Sequence, residues 1–162
     1  MRHIRAPWRQ AYVTSVDSGP KPCVLCTALE HAQDADSLVV HVAARCFVAM
    51  NLYPYNSGHV MISPRRHVGR LADAVPDELD EMMALARRME AVLAEAYKPD
   101  GMNVGMNLGR SAGAGVADHI HLHMVPRWVG DTNFISVLGE TRVIPEDPLA
   151  ACLRLRGLFG RP

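Results

Sequence analysis

The sequence predicts an α+β fold organised around an antiparallel sheet. Three observations point there. Short runs rich in β-branched and aromatic residues cluster along the chain instead of alternating with helices. One long stretch switches to the helical period. The chain has 162 residues, 49% of them apolar and 21% charged, which suits one ordinary domain with its own core. A doubly wound parallel sheet would need strands and helices in alternation, and the pattern lacks that order.

The elements follow in turn. Residues 1–22 read as an irregular segment, with Ser18-Gly19-Pro20-Lys21-Pro22 as a cluster of turn formers. A short helical stretch is expected near Thr27–His31. Leu38–His41, Cys46–Asn51 and His59–Ser63 read as three strands of a meander, the last two joined by the turn Tyr53-Pro54-Tyr55-Asn56-Ser57-Gly58. From Asp77 to Tyr97 the apolar stripe Leu79, Met82, Met83, Ala86, Met89, Leu93 and Ala96 predicts an amphipathic helix facing the core. Pro76-Asp77-Glu78 starts it and Lys98-Pro99 stops it. Met102–Asn107 and His119–Val125 complete five strands, with a small-residue loop from Gly109 to Gly115 between them. A final helix is expected near Pro148–Leu158.

Composition excludes some functions. Lys+Arg and Asp+Glu both number 17, so the formal charge is zero. Duplex nucleic-acid binding through phosphates calls for a clearly basic surface, so it is not expected. No run approaches the ~18 apolar residues of a spanning helix, and no apolar stretch follows the charged residues of Met1–Gln10. We therefore expect a cytoplasmic protein without a membrane partner. In that reducing compartment Cys23-Val24-Leu25-Cys26 reads as a metal or redox pair, not a structural disulfide. Cys46 and Cys152 lack a partner pattern and read as buried apolar fillers.

Chemistry concentrates in His119-Ile120-His121-Leu122-His123-Met124. On a strand, alternate side chains share a face, so three imidazoles would line one face at roughly 6.5–7 Å intervals, with Ile120, Leu122 and Met124 facing the core. Histidine is seldom chosen for packing, and each ring nitrogen needs a partner. Two uses remain open from the residues alone. The histidines could ligate zinc, or one could be a nucleophile that its neighbours orient.

The motif resembles the signature of the histidine triad family of nucleotide hydrolases and transferases. The similarity extends from Asn51 through His59 to His67 and Val68, and across Asn107-Leu108-Gly109-Arg110-Ser111-Ala112-Gly113-Ala114-Gly115. Pro126-Arg127-Trp128 and Gly130–Phe134 resemble the branch that includes diadenosine tetraphosphate phosphorylases and hydrolases. The resemblance covers about residues 20–147. It implies a five-stranded antiparallel sheet with two helices, continued across a homodimer. The chain then divides into an N-terminal segment 1–22, the triad domain 23–147 and a C-terminal helix or tail 148–162.

The resemblance also implies roles. His121 is the nucleophile on the α-phosphorus and forms a nucleotidyl-histidine intermediate. His123 contacts phosphate oxygens or the leaving group, and His119 and His59 complete the network. Asn51 binds ribose hydroxyls. Asn107, Arg110, Ser111, Gly113 and Gly115 bind phosphate, with glycines allowing close backbone approach. Cys23, Cys26, His67 and His119 form a closed structural zinc site, as in some bacterial members. No catalytic cofactor is implied, and any Mg²⁺ arrives on the substrate, an adenosine polyphosphate. Arg65 and Arg66 could steer polyphosphate or simply solvate a strand end. Trp128 could stack on a base or pack at the dimer interface. Two other functions stay open: a zinc-dependent hydrolase ligated by His119, His121 and His123, and a nucleotide-binding sensor with incidental catalysis. Gly115 stands where many hydrolases carry glutamine, which leans the reading toward phosphate over water as acceptor.

Overall fold

The computed structural model of the chain describes residues 22–131 and 146–161. The expected irregular segment up to residue 21, and residues 132–145 with the expected branch residues Thr132–Phe134, lie outside these. The described residues hold five strands: β1 (Val39–Val42), β2 (Cys46–Met50), β3 (Val60–Pro64), β4 (Gly101–Met106) and β5 (Leu122–Arg127). All pair antiparallel in the order β1-β2-β3-β5-β4. Three α-helices accompany them: α1 (Val24–Glu30), α2 (Pro76–Tyr97) and α3 (Pro148–Phe159). The family resemblance implied two. The third is the short α1, which starts three residues earlier than its expected position.

The two longer helices have local causes. Pro76 opens α2 at a position where its missing N–H is no loss. The Glu78 carboxylate accepts the Val75 N–H at 2.9 Å, satisfying a donor of the first turn. Lys98 ends the helix in the left-handed region at φ 46°. Asp147 caps α3 by accepting the Ala150 N–H at 2.8 Å, and Pro148 follows at the first helical position.

One face of the sheet packs under α2 and α3. Val48, Ile62, Leu122 and Met124 meet Met82, Met89 and Leu93 of α2 and Cys152, Leu155 and Phe159 of α3. The expected helical stripe needs one correction: Met83 is 59% exposed, and Leu85 and Val92 take its place. At about 100° per residue the buried face centres near Met89, with Leu85 and Val92 within about 60° of it and Met83 about 120° away. Cys46 and Cys152 are both fully buried. On the opposite face Leu25 of α1 packs on Val39, Phe47 and Ala49. This second face carries the triad, because His123 pairs with Met61 and Met61 with Ala49. No helix among the described residues is long and apolar enough to cross a membrane.

A further correction concerns β5. The triad was expected to lie within a strand from His119 to Val125. The strand begins only at Leu122, and His119–His121 precede it. The pairing of β3 with β5 ends at Ile62 with Leu122, and the next alternate residue of β3 is Pro64, which has no N–H to donate.

Candidate active site

His121 and His123 are 4% and 9% exposed, and His59 and His119 are fully buried. His121 and His123 meet edge to face with ring centroids 4.7 Å apart. His119, expected on the same face, turns its ring to Cys23, Cys26 and His67. The first triad histidine therefore makes different contacts from the other two.

The hydrogen bonds determine the tautomers. His121 Nδ1 lies 2.8 Å from the His119 carbonyl, which can only accept. His121 must therefore donate from Nδ1, leaving a lone pair on Nε2. Burial lowers its pKa below the usual histidine value, which the carbonyl contact partly offsets. The ring is thus neutral near pH 7 and able to act as a nucleophile.

A second chain runs through His59. The Tyr55 backbone N–H donates to His59 Nδ1 at 3.0 Å, so that nitrogen accepts. His59 Nε2 then carries the proton and donates to His123 Nδ1 at 2.9 Å. His123 is left with its proton on Nε2. Burial, with a smaller contribution from His121, pushes the His123 pKa down to about 4. His123 is therefore a neutral Nε2–H donor beside a neutral Nε2 acceptor, which is the pairing a nucleophile and a leaving-group donor require. Tyr55 packs its ring 4.7 Å from His59 and 5.7 Å from His123. Sequence reasoning treated Tyr55 as turn chemistry only, and its backbone donor carries no side-chain signature.

The other expected residues divide. Asn51 spends its amide oxygen on the Tyr53 N–H at 2.9 Å, and its amide nitrogen lies 3.3 Å from His59 Nδ1. It thus holds the turn and the His59 ring. Asn107 follows β4 directly, one position beyond the pair of Met106 with Leu122, so it flanks His121. Arg110 and Ser111 lie exposed in a 3₁₀ turn, Arg110–Ala112. Gly109 and Gly113 bracket that turn at φ 81° and 89°, which only glycine adopts freely. Gly115 is exposed on the same loop. Arg65 and Arg66 are engaged elsewhere. Arg65 donates to the carbonyls of Ala43 and Ala44, and Arg66 grips Glu78 through Nε at 2.9 Å and Nη2 at 2.8 Å. Trp128 packs edge-on against Tyr97 with centroids 6.4 Å apart. Asp131, within the Gly130–Phe134 stretch that resembles the phosphorylase branch, ties Arg127 to Asn56 of the His59 turn.

Cys23, Cys26, His67 and His119 come together as a possible metal site, their donor atoms all within 4.8 Å of one another. The Sγ to Nδ1 distances are 3.4 Å for Cys23–His119, 3.3 Å for Cys26–His67 and 3.6 Å for Cys26–His119. A tetrahedron with Zn–S of about 2.3 Å and Zn–N of about 2.0–2.1 Å needs S to N separations of about 3.5 Å. These three separations, and a donor set of two thiols and two imidazoles, suit a tetrahedral zinc site. His119 Nε2 donates to the Pro64 carbonyl at 2.9 Å, which leaves Nδ1 unprotonated for a metal. Burial, then the neighbouring Cys23, pushes the Cys26 thiol up to about 11, so a cation would be needed to hold it as thiolate. His119 commits Nε2 to the Pro64 carbonyl and turns Nδ1 to Cys23 and Cys26, which does not suit a site ligated by all three triad histidines.

Comparison with known proteins adds four relations. The model of one protein family, described as the HIT domain, matches residues 32–129. The AP-4-A phosphorylase of Mycobacterium tuberculosis is 38% identical over 152 residues, covering 90% of this chain and 78% of the relative. The bis(5'-adenosyl)-triphosphatase of Dictyostelium discoideum is 35% identical over 81 residues, half of this chain and 54% of the relative. Among solved structures, a zinc-bound histidine triad family protein from Mycobacterium smegmatis superposes with a TM-score of 0.68 at 25% identity, covering 85% of this chain and 92% of that one.

Proposed function

This chain belongs to the HIT domain family, and from that premise we propose that it cleaves a phosphoanhydride of a dinucleoside polyphosphate, such as diadenosine tetraphosphate, through a nucleotidyl-histidine intermediate on His121. The observation that carries the reading is the tautomer pair. His121 donates from Nδ1 to the His119 carbonyl and keeps the Nε2 lone pair, while the His59 chain gives His123 a proton on Nε2. His121 Nε2 forms the bond to the α-phosphorus. The bond from that phosphorus to its bridging oxygen breaks, and His123 Nε2–H stabilises the departing oxygen. Diadenosine tetraphosphate would release ATP and leave AMP on His121.

Asn107 beside His121 and the loop from Gly109 to Gly115 are suited to hold phosphate oxygens, with Arg110 supplying positive charge and Ser111 a hydroxyl. Asn51 acts through the turn and His59, and its role toward ribose belongs to the same proposal. Zinc at Cys23, Cys26, His67 and His119 would supply folding free energy and tether α1 to the triad segment, and the existence of a zinc-bound structural relative supports this. The exposed outer side of β4 supports pairing with a second copy, which would extend the sheet as a homodimer. Four reduced cysteines suit the cytoplasm.

The acceptor that releases AMP is phosphate in this reading. The relative named as a phosphorylase supports it, as does the absence of a side chain at Gly115. The test is product analysis on diadenosine tetraphosphate with millimolar phosphate. Phosphorolysis yields ADP plus ATP with phosphate incorporated into the ADP. AMP plus ATP at a rate indifferent to phosphate would overturn the choice of acceptor. Replacing His121 by Ala should lower turnover by several orders of magnitude, and more than about a tenth of wild-type activity in that variant would overturn the covalent mechanism.

A further inference from the structure

The triad segment is attached to the sheet by contacts that replace the missing ladder. Continuing the register of β3 and β5 beyond Ile62 and Leu122 brings Pro64 opposite Ile120. Proline has no N–H, so the Ile120 carbonyl loses the donor that a regular strand would offer. The Ser63 hydroxyl fills that position, donating to the Ile120 carbonyl at 2.8 Å. Ser63 is 1% exposed, so water does not compete for this bond. The neighbouring groups are equally committed. The Ile120 N–H donates to the Val68 carbonyl at 2.8 Å, and the Pro64 carbonyl accepts His119 Nε2–H.

These bonds act on two successive peptide planes. Val68 holds the plane that joins His119 to Ile120. Ser63 holds the plane that joins Ile120 to His121. The carbonyl that accepts His121 Nδ1–H belongs to the first plane, and the His121 backbone hangs on the second. The tautomer of His121 therefore depends on the angle between the planes, and Ser63 is the side chain that fixes one of them.

We propose that Ser63 is a positioning residue for His121: its hydroxyl locks the Ile120–His121 peptide so that Nδ1–H stays on the His119 carbonyl and Nε2 keeps its lone pair for the phosphorus. The inference rests on His121 as nucleophile. Loss of the hydroxyl leaves a buried carbonyl without a donor and frees the peptide to rotate. A nucleophile displaced by a fraction of an ångström loses rate without losing substrate.

The test uses the zinc-replete full chain with Ser63→Ala, Ser63→Thr and Ser63→Val. Threonine and valine have nearly the same shape and differ in the hydroxyl. Ala and Val should lower kcat for diadenosine tetraphosphate about tenfold or more with KM within about twofold, whereas Thr should recover most of the rate. A second measurement needs no substrate. In ¹⁵N-labelled protein, the His121 Nδ1–H should exchange with water about tenfold faster or more in the Ala and Val variants than in wild type and Thr. Wild-type kcat and wild-type exchange in Ser63→Ala would overturn the proposal. So would Thr and Val falling together, because size and not the hydroxyl would then matter. If wild type cleaves no dinucleoside polyphosphate, the nucleophile reading fails, and the exchange rates still decide the role of Ser63.

Discussion

Gly58 offers a sharp test of how the His59 turn is held. It stands directly before His59 at φ +75°, and a Cβ there would lie 2.6 Å from Tyr97 Cε2 and 2.9 Å from Cζ. The Tyr97 ring cannot swing away cheaply. Its hydroxyl donates to Glu146 at 2.7 Å, and the Arg154 guanidinium lies 4.5 Å over its face. Gly58→Ala should therefore incur two costs. The left-handed backbone adds about 1–2 kcal/mol for any residue with a Cβ, and overpacking against a fixed ring adds about 1–3 kcal/mol. The total of about 2–5 kcal/mol corresponds to a fall in Tm of about 5–15 °C for a chain of this size. Urea and thermal unfolding measure it. The double variant Gly58→Ala with Tyr97→Leu should be less destabilised than the sum of the singles by about 1–3 kcal/mol, because the ring that collides is gone. A single variant within about 0.5 kcal/mol of wild type would refute the reasoning, as would strict additivity. Turnover should fall along with stability, since the same turn presents the Tyr55 N–H to His59.

Two other predictions concern the metal and acid. Protein purified without chelators should carry about one zinc per chain, and Cys23→Ser should lower its metal content and Tm, because a structural zinc contributes folding free energy directly; metal analysis with calorimetry checks this, and full zinc occupancy in that variant would remove Cys23 from the set. Glu78 has its pKa lowered, chiefly by the hydrogen bonds from Arg66, so its carboxylate adds stability above the ordinary glutamate range and loses it as pH falls through the depressed value. The stability gap between wild type and Glu78→Gln, followed by urea unfolding, should hold from pH 7 to about 5 and shrink below about pH 4; a gap that widens in acid would contradict the assignment.

Much of the fold was legible because its signals are local. The helix from Pro76 to Tyr97 shows its period, its opening proline and its stop within one window. The β2–β3 turn declares itself through Tyr53-Pro54-Tyr55-Asn56-Ser57-Gly58. What escaped is set by residues distant in sequence. Ser63 meets a carbonyl 57 positions away, and Arg66 finds Glu78 through the packing of β3 against α2. The Tyr55 contact to His59 uses a backbone N–H, which every residue but proline possesses. No composition rule could single these out.

The triad itself shows why a motif of like residues can mislead about task. Alternation in the sequence makes His119, His121 and His123 look equivalent, three rings on one face. Pro64 breaks the equivalence by ending the ladder, so the segment before Leu122 is free to turn His119 toward the cysteine pair. His119 then serves two neighbours at once. Its Nδ1 faces Cys23 and Cys26, and its carbonyl determines which nitrogen of His121 carries the proton. A metal at the first would stiffen the second through a single residue, so the structural site and the proposed nucleophile cannot be perturbed independently. A ring carried on a regular strand would have its carbonyl committed to the neighbouring strand, and His121 would have no local acceptor for Nδ1–H. The proline that closes β3 thus leaves three histidines that alternate in sequence with three different sets of contacts.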